Sequence, residues 1–365
     1  MRYRAYGKTG KKISIIGFGG MRFANPEDIQ ANAEVVLHAY RKGINYFDTA
    51  PYYCKDKSEA IIGAAVRHME PGRFYVSTKC MERKGARLRA SLERSLRRLS
   101  VERIDFFHIW CLVQPGELAK RIKGGAVKAA LKAKDEGLIG HLVVSSHLSG
   151  ADLKDVLATG LFEGVTLGYS AVNFPYRDEA VRAAGDRGLG VVTMNPLAGG
   201  LIPQNARRFR FLRGPDDPSV VAAALRFNVS HPAVTSALVG FTTKRHVDEA
   251  VAAVTGFRPH GRRRIQQLRK KILDRFEDFC TGCGYCLPCP KGIDVPRFMD
   301  AYNMRLLKGR DPKHILDRLK WHWELEAKAA RACALCGQCE ERCTQHLPIR
   351  ERLKAIAALS RAQRG

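Results

Sequence analysis

The chain has 365 residues and 45% hydrophobic content, enough for one large domain plus a smaller one and too apolar for general disorder. Its 62 Lys/Arg against 36 Asp/Glu leave a formal net charge of +26, which suits an acidic or anionic partner. No apolar stretch approaches bilayer length and no nucleic-acid motif or aromatic platform accompanies the charge. A cytoplasmic protein with no membrane span and no nucleic-acid partner is therefore expected.

The chain opens on Met1-Arg2-Tyr3-Arg4-Ala5, basic but without the apolar run of a secretion signal. Short apolar runs then alternate with amphipathic segments to about residue 255. The expected strands are Ile15–Gly19, Tyr46–Asp48, Phe74–Lys79, Asp105–Trp110, His141–Ser146, Val165–Ser170, Val191–Asn195 and Ala237–Phe241. Asn25-Pro26-Glu27 reads as the start of a helix that ends at Gly43. Leu88, Leu92, Leu96 and Leu99 line one face of another. Eight strand signals, each followed by a helix, match a (β/α)8 barrel. A doubly wound open sheet is the alternative, but Gly17-Phe18-Gly19-Gly20 is not the dinucleotide fingerprint that such a sheet carries after its first strand.

The stretch Gly256–Arg269, rich in Gly, Pro, His and Arg, reads as a linker. This divides the chain into a barrel over 1–256, a basic linker over 257–271 and a small, mainly helical domain over 272–365. A helical segment, Glu324–Arg331, leads into the second of two cysteine runs, and Ile349–Arg361 reads as a basic closing helix.

Eight of the eleven cysteines fall in these runs, Cys280-x2-Cys283-x2-Cys286-x2-Cys289-Pro290 and Cys333-x2-Cys336-x2-Cys339-x3-Cys343. Disulfide frameworks spread their cysteines; clustered ones in a large chain ligate metal more often. Three thiolates at three-residue spacing can each reach a different iron of a cubane, and in ferredoxin-like two-cluster domains the fourth ligand of each run crosses to the other cluster. Cys280, Cys283, Cys286 and Cys343 are thus expected on one [4Fe–4S] cluster, and Cys333, Cys336, Cys339 and Cys289 on a second. Structural zinc, the alternative, prefers paired C-x2-C units with four ligands per ion. The first run closes with x2 where x3 is usual, and Thr344 replaces the proline after Cys343; neither change removes a ligand.

The strings Tyr6-Gly7-Lys8-Thr9-Gly10, Gly17-Phe18-Gly19-Gly20-Met21, Phe47-Asp48-Thr49-Ala50-Pro51-Tyr52-Tyr53 with Ser58-Glu59, and Ser77-Thr78-Lys79 resemble the aldo/keto reductases. With the appended cysteine runs, the whole chain resembles the iron–sulfur branch of that family. The resemblance implies hydride transfer from a nicotinamide, usually NADPH, to the carbonyl carbon of a small substrate. It assigns proton donation to Tyr53, a pKa-lowering cation to Lys79 and the anchoring of that cation to Asp48. The family's histidine on the fourth barrel strand falls at Trp110; His108, two residues earlier on the same side of the strand, is the candidate substitute.

The same resemblance places cofactor contacts at Ser145, Ser146, Thr166, Met194, Asn195, Pro196, Leu197, Gly240 and Thr242. Lys244 and Arg245 follow as candidates for a 2′-phosphate, favouring NADP(H) over NAD(H). Thr166, Met194 and Ala250 stand where the family has glutamine, tyrosine and asparagine. Two functions remain open at this level. One is an aldo/keto reductase-like enzyme acting on a small carbonyl compound. The other is an electron-transfer subunit whose barrel is a scaffold, served by an acidic carrier such as a ferredoxin or flavoprotein.

Overall fold

The computed structural model describes residues 1–148, 150–172, 174, 177–273, 279–280 and 282–360. The first two strands, β1 (Tyr3–Ala5) and β2 (Lys12–Ser14), pair as an antiparallel hairpin too short to have been expected from periodicity. Eight parallel strands follow: β3 (Ile16–Gly19), β4 (Tyr46–Asp48), β5 (Tyr75–Cys80), β6 (Ile104–Leu112), β7 (Ile139–Ser146), β8 (Gly164–Gly168), β9 (Gly190–Met194) and β10 (Ser236–Gly240). They close into a barrel in chain order, with β10 paired back to β3. Helices between the strands cover the outside, and their apolar faces form one large core with the barrel wall.

The hairpin closes the N-terminal end of the barrel through Tyr6. Its ring is fully buried, 4.2 Å from that of Phe106, in a lumen layer with Tyr46, Val143, Val192 and Leu238. Gly190 and Gly164 make room for it: a Cβ there would lie 2.2 Å from the Tyr6 ring and 2.3 Å from its hydroxyl. The lumen is filled by side chains, so the site can only lie above them, at the C-terminal ends of the strands.

Local chemistry moves some expected boundaries. The first long helix is Ile29–Arg41, capped by Asp28, whose side chain accepts from Ala31 N at 3.0 Å. Asn25 instead accepts from Glu27 N in the preceding turn, so the asparagine–proline pair precedes the helix. The helix with the leucine stripe is Gly85–Leu99, with Leu88, Leu92 and Leu99 buried. The expected linker is mostly helix: Arg262–Leu273 lays Leu268 and Ile272 into the barrel's core, and Arg269 binds Asp178 and Tyr169. Its arginines resembled a solvated connection, whereas the buried leucine–isoleucine pair makes it a docked helix.

The cysteine-rich region has its own core, built from Val295, Phe298, Met299, Ile315, Leu347, Leu353 and neighbours. Two helices dominate it, Val295–Lys308 with Pro296 in its first turn, and Ile349–Leu359. Arg361, the expected end of the closing helix, lies outside the described residues. Between them the approach to the second run is a 3-10 turn, Ala327–Ala332. No helix among the described residues is long and apolar enough to cross a membrane.

Candidate functional site

Asp48 ends β4 and Lys79 lies near the end of β5, where the register pairs Asp48 with Ser77 and Lys79 with His108. Asp48 and Lys79 are buried and bound as an ion pair, and Lys79 Nζ also donates to Thr49 O at 2.7 Å. Burial pushes the Asp48 carboxyl up and the Lys79 ammonium down, while each charge favours the ionised form of the other. Ser77 Oγ donates to Asp48 Oδ2 at 2.8 Å and contacts His108 Nε2 at 2.8 Å. Burial, then Lys79, holds His108 well below the ordinary histidine value, so it is neutral.

Tyr53 sits above this network. The loop that carries it runs through left-handed backbone at Tyr52, Cys54, Lys55 and Asp56. A two-pronged ion pair from Arg98 to Asp56, both contacts at 2.7 Å, holds the loop, and Asp56 also accepts from Tyr52 N. The neighbouring serine–glutamate pair has a positioning role: Ser58 Oγ contacts Thr49 Oγ1 and donates to Gly20 O, and Glu59 accepts from Thr78. Lys79 Nζ lies 5.2 Å from the centroid of the Tyr53 ring. The phenol is nonetheless pushed well above its ordinary value, by burial first and then by Asp48. Burial outweighs whatever lowering Lys79 provides, and that cation is paired with Asp48.

Two positions divide the role expected of a fourth-strand histidine. His108 is a fully buried member of the Asp48–Ser77 network and has no hydrogen bond or ring contact with Tyr53 among the described residues. Trp110 makes that contact, edge-on at 5.7 Å between ring centroids.

The expected cofactor residues gather along the mouth from β7 to β10. Ser145 and Thr166 are register partners on β7 and β8, fully buried, and their hydroxyls have no hydrogen-bond partner among the described residues. Orphaned buried hydroxyls on one face fit an amide-bearing ligand. Ser146 is turned to the backbone, donating to Leu112 O and accepting from Leu148 N. Met194 ends β9 half-buried. Beyond it, a loop with left-handed Asn195, Ala198, Gly199 and Gly200 walls a cavity of about 370 Å3. Asn195, Pro196, Leu197, Gly240 and Thr242 line it, with Arg22, His246 and Glu249, which the sequence reading missed. Lys244 and Arg245 are not among the lining residues; Lys244 pairs with Glu34 at 3.5 Å and Arg245 with Glu249 at 3.8 Å.

The eight cysteines of the two runs lie close together. Cys289, Cys333, Cys336 and Cys339, expected on one cluster, line one small cavity together with Cys286, which was expected on the other. Cys280 is pushed up by burial and by its thiol neighbours Cys283, Cys343 and Cys286, the other three members of its set. Gly282 N donates to Cys280 Sγ at 3.4 Å and Leu347 N to Cys343 Sγ at 3.3 Å. Burial holds Cys286 up at about 12 and Cys339 at about 11, so both need a metal to ionise them at neutral pH. Among the described residues no three His, Cys, Asp or Glu side chains close around a single ion, and all cysteines are free of disulfides. Cysteines gathered in two runs and free of disulfides fit iron–sulfur ligation better than zinc.

The two halves meet at the barrel mouth, an arrangement no motif announces. Tyr285, between Cys283 and Cys286, packs with Ala50, Trp110, Cys111 and Tyr53, and its ring lies 5.2 Å from that of His147. Beside it a cleft of about 730 Å3 has Cys111 and Tyr285 on its wall, with Arg83, Lys84, Arg87, Arg121 and Arg342 outnumbering Glu82, Glu117 and Glu341. This basic cleft leads from solvent to the edge of the site.

Residues 15–270 match the aldo/keto reductase family and residues 279–348 a 4Fe-4S dicluster domain. The chain is 29% identical to L-galactose dehydrogenase of Arabidopsis thaliana over 69% of its length and 88% of that protein's. It is 28% identical to the NADH-specific methylglyoxal reductase of Escherichia coli over 50% of this chain and 62% of that one. A holo-form aldo-keto reductase from Bacillus halodurans superposes with a TM-score of 0.65 at 23% identity, covering 74% of this chain and 96% of that one. At that identity the likeness speaks for the barrel fold alone.

Proposed function

We propose, from the premise that this chain is an oxidoreductase belonging to the aldo/keto reductase family with a 4Fe-4S dicluster domain behind its barrel, that the barrel reduces a small carbonyl compound with NADP(H) while the cysteines hold two clusters. The observation that carries the reading is the buried Asp48–Lys79 pair with Lys79 beneath the Tyr53 ring, at the strand ends where barrel active sites lie.

A nicotinamide bound here would supply the hydride. Ser145 and Thr166 would hold its carboxamide, and the Asn195–Leu197 loop with Gly240 and Thr242 would hold its phosphates and adenosine. Lys244 and Arg245, between Thr242 and His246 in sequence, are the proposed source of the preference for a 2′-phosphate. Tyr53 Oη is the proton donor to the carbonyl oxygen. Its raised pKa keeps the phenol protonated throughout the neutral range, ready to donate. Lys79 contributes a nearby positive charge that favours the phenolate left behind, and Asp48 keeps that cation fixed. The basic cleft beside Tyr285 favours a substrate bearing a carboxylate or phosphate.

Trp110 supports a second reading. An indole over Tyr53 crowds the place where a carbonyl would bind, as expected of a barrel retained as the scaffold of an electron-transfer subunit. One experiment separates the two: anaerobic titration with NADPH, following nicotinamide binding by fluorescence and the clusters by absorbance. Saturable binding supports the reductase; its absence, with clusters intact, supports the scaffold.

A further inference from the structure

Arg177 precedes the helix Asp178–Asp186 and is 1% exposed, one of the largest fully buried side chains in the molecule. Its Nη1 donates to Leu148 O in the barrel, and its Nη2 to Thr344 O in the cysteine-rich region at 2.7 Å. Among the described residues Nε has no partner and no carboxylate pairs with the guanidinium. The groups that favour its charge are the thiols Cys111 and then Cys343, and two histidines, His147 and His346, also lie within its reach. A buried cation without a counter-charge is costly, so its persistence calls for an anion that the polypeptide does not supply.

Its surroundings locate that anion. Thr344, which Arg177 grips by the carbonyl, follows Cys343, and its Oγ1 meets Cys283 Sγ at 3.2 Å. Cys283 and Cys343 both belong to the first thiol set. A [4Fe–4S] core of charge 2+ with four thiolates nets about −2, and reduction adds one more negative charge. We propose that Arg177 is the barrel's counter-charge to the first cluster, set against its Cys283–Cys343 side through Thr344, and that it raises that cluster's reduction potential. The inference rests on the two-cluster reading.

A fixed positive charge favours the more negative, reduced state, and charge and outer-shell contacts are the protein's means of setting such potentials. Among the described residues no buried arginine lines the cavity of the second thiol set: Cys336 is exposed, Lys291 at that cavity is exposed to water, and Arg350 is paired with Glu340 at 2.7 Å. The first cluster is then the higher in potential of the two. Arg177 thereby draws an electron delivered by a one-electron carrier toward the barrel.

The test uses the full chain prepared anaerobically, with Arg177→Gln, which keeps amide donors and loses the charge, and Arg177→Lys, which keeps the charge. Iron and sulfide are counted, and both midpoint potentials are read by an EPR-monitored redox titration. Arg177→Gln should lower one potential by at least a tenfold change in its oxidised-to-reduced ratio, 59 mV for a one-electron couple, and leave the other in place. Arg177→Lys should keep most of the original value. Loss of half the iron in Arg177→Gln but not in Arg177→Lys would also support the proposal, since the charge would then be holding the cluster. Two unmoved potentials, or equal effects in both variants, overturn it. A wild-type chain without sulfide overturns the cluster reading itself, a failure distinguishable by the iron and sulfide count.

Discussion

Trp110 stands edge-on to Tyr53, with 5.7 Å between ring centroids and 90° between planes, while Lys79 of the buried Asp48–Lys79 pair lies 5.2 Å from the same Tyr53 ring. An aromatic edge against the proton donor excludes water from its face. His108 is tied to Ser77 in the buried network, which leaves Tyr53 as the proposed proton donor. Tyr53→Phe should therefore lower carbonyl reduction by about 10²–10⁴ while nicotinamide affinity and thermal stability hold. His108→Ala should act differently. It empties a buried position in the Asp48–Ser77 network, so the melting temperature should fall by several degrees while the turnover of folded enzyme changes less than tenfold. Steady-state kinetics and calorimetry on both variants check this, and unchanged turnover in Tyr53→Phe would refute the proton-donor assignment.

The cluster assignment is tested by a ligand that crosses between the runs. Cys343 belongs by sequence to the second run and by position to Cys280, Cys283 and Cys286. Wild-type protein should contain about eight irons per chain, and Cys343→Ser should weaken the cluster of the first run, not the second. EPR of the reduced variant should keep one cluster signal. Finding tightly bound zinc and no acid-labile sulfide would end the assignment.

Much of this arrangement was legible in the sequence because it rests on local pattern. Each of the eight barrel strands is a short apolar run between turn signals, and all eight occur within two residues of their expected starts. The cysteine spacing likewise exposed the iron–sulfur domain, since three-residue steps have a direct geometric meaning. The helix Arg262–Leu273 was hidden by its arginines, which outnumber the two apolar residues that dock it. Arg177, Tyr285 and His147 were invisible for another reason. Their roles arise from contacts over more than a hundred residues of chain, and an isolated arginine, tyrosine or histidine carries no periodic signal. The direction of the Tyr53 pKa was also out of reach, because it depends first on burial of the phenol and then on Asp48.

His147 supplies a test of the seam between the two halves. It is 2% exposed, neither ring nitrogen has a partner among the described residues, and its ring lies against Tyr285. Burial, then Arg177 and His346, pushes it down to about 3. The unfolded chain takes up this proton near pH 6.5, whereas the folded chain resists it until about pH 3. Above pH 6.5 both forms are neutral and the stability is fully present; below it the unfolded state binds the extra proton and stability declines. The loss between pH 7 and pH 5 should be about 2 kcal/mol from this residue. His147→Gln removes the titration, so denaturant unfolding should show the stability difference between wild type and variant shifting by that amount across the interval. A difference independent of pH would contradict the burial of a neutral histidine at this seam.

The last prediction concerns where electrons enter. Leu335 is 59% exposed and Cys336 beside it is also exposed, so the second thiol set reaches the surface while the first is turned toward the barrel. Residues 257–365 hold 24 Lys/Arg against 12 Asp/Glu, an excess that two clusters of about −2 each would reduce to about +8. Such a face attracts an acidic one-electron carrier, and exposed charges lose their reach beyond about 8 Å at physiological ionic strength. An acidic ferredoxin or flavoprotein should reduce the clusters quickly at low salt and much more slowly at high salt. NADPH alone should reduce them poorly, because a hydride carries two electrons, each cluster accepts one, and the sequence contains no flavin motif to divide the pair. Stopped-flow absorbance measures both rates. Rapid bleaching by NADPH without flavin or partner would mean that the barrel itself splits the hydride, and the proposed division between barrel and cluster domain would fall.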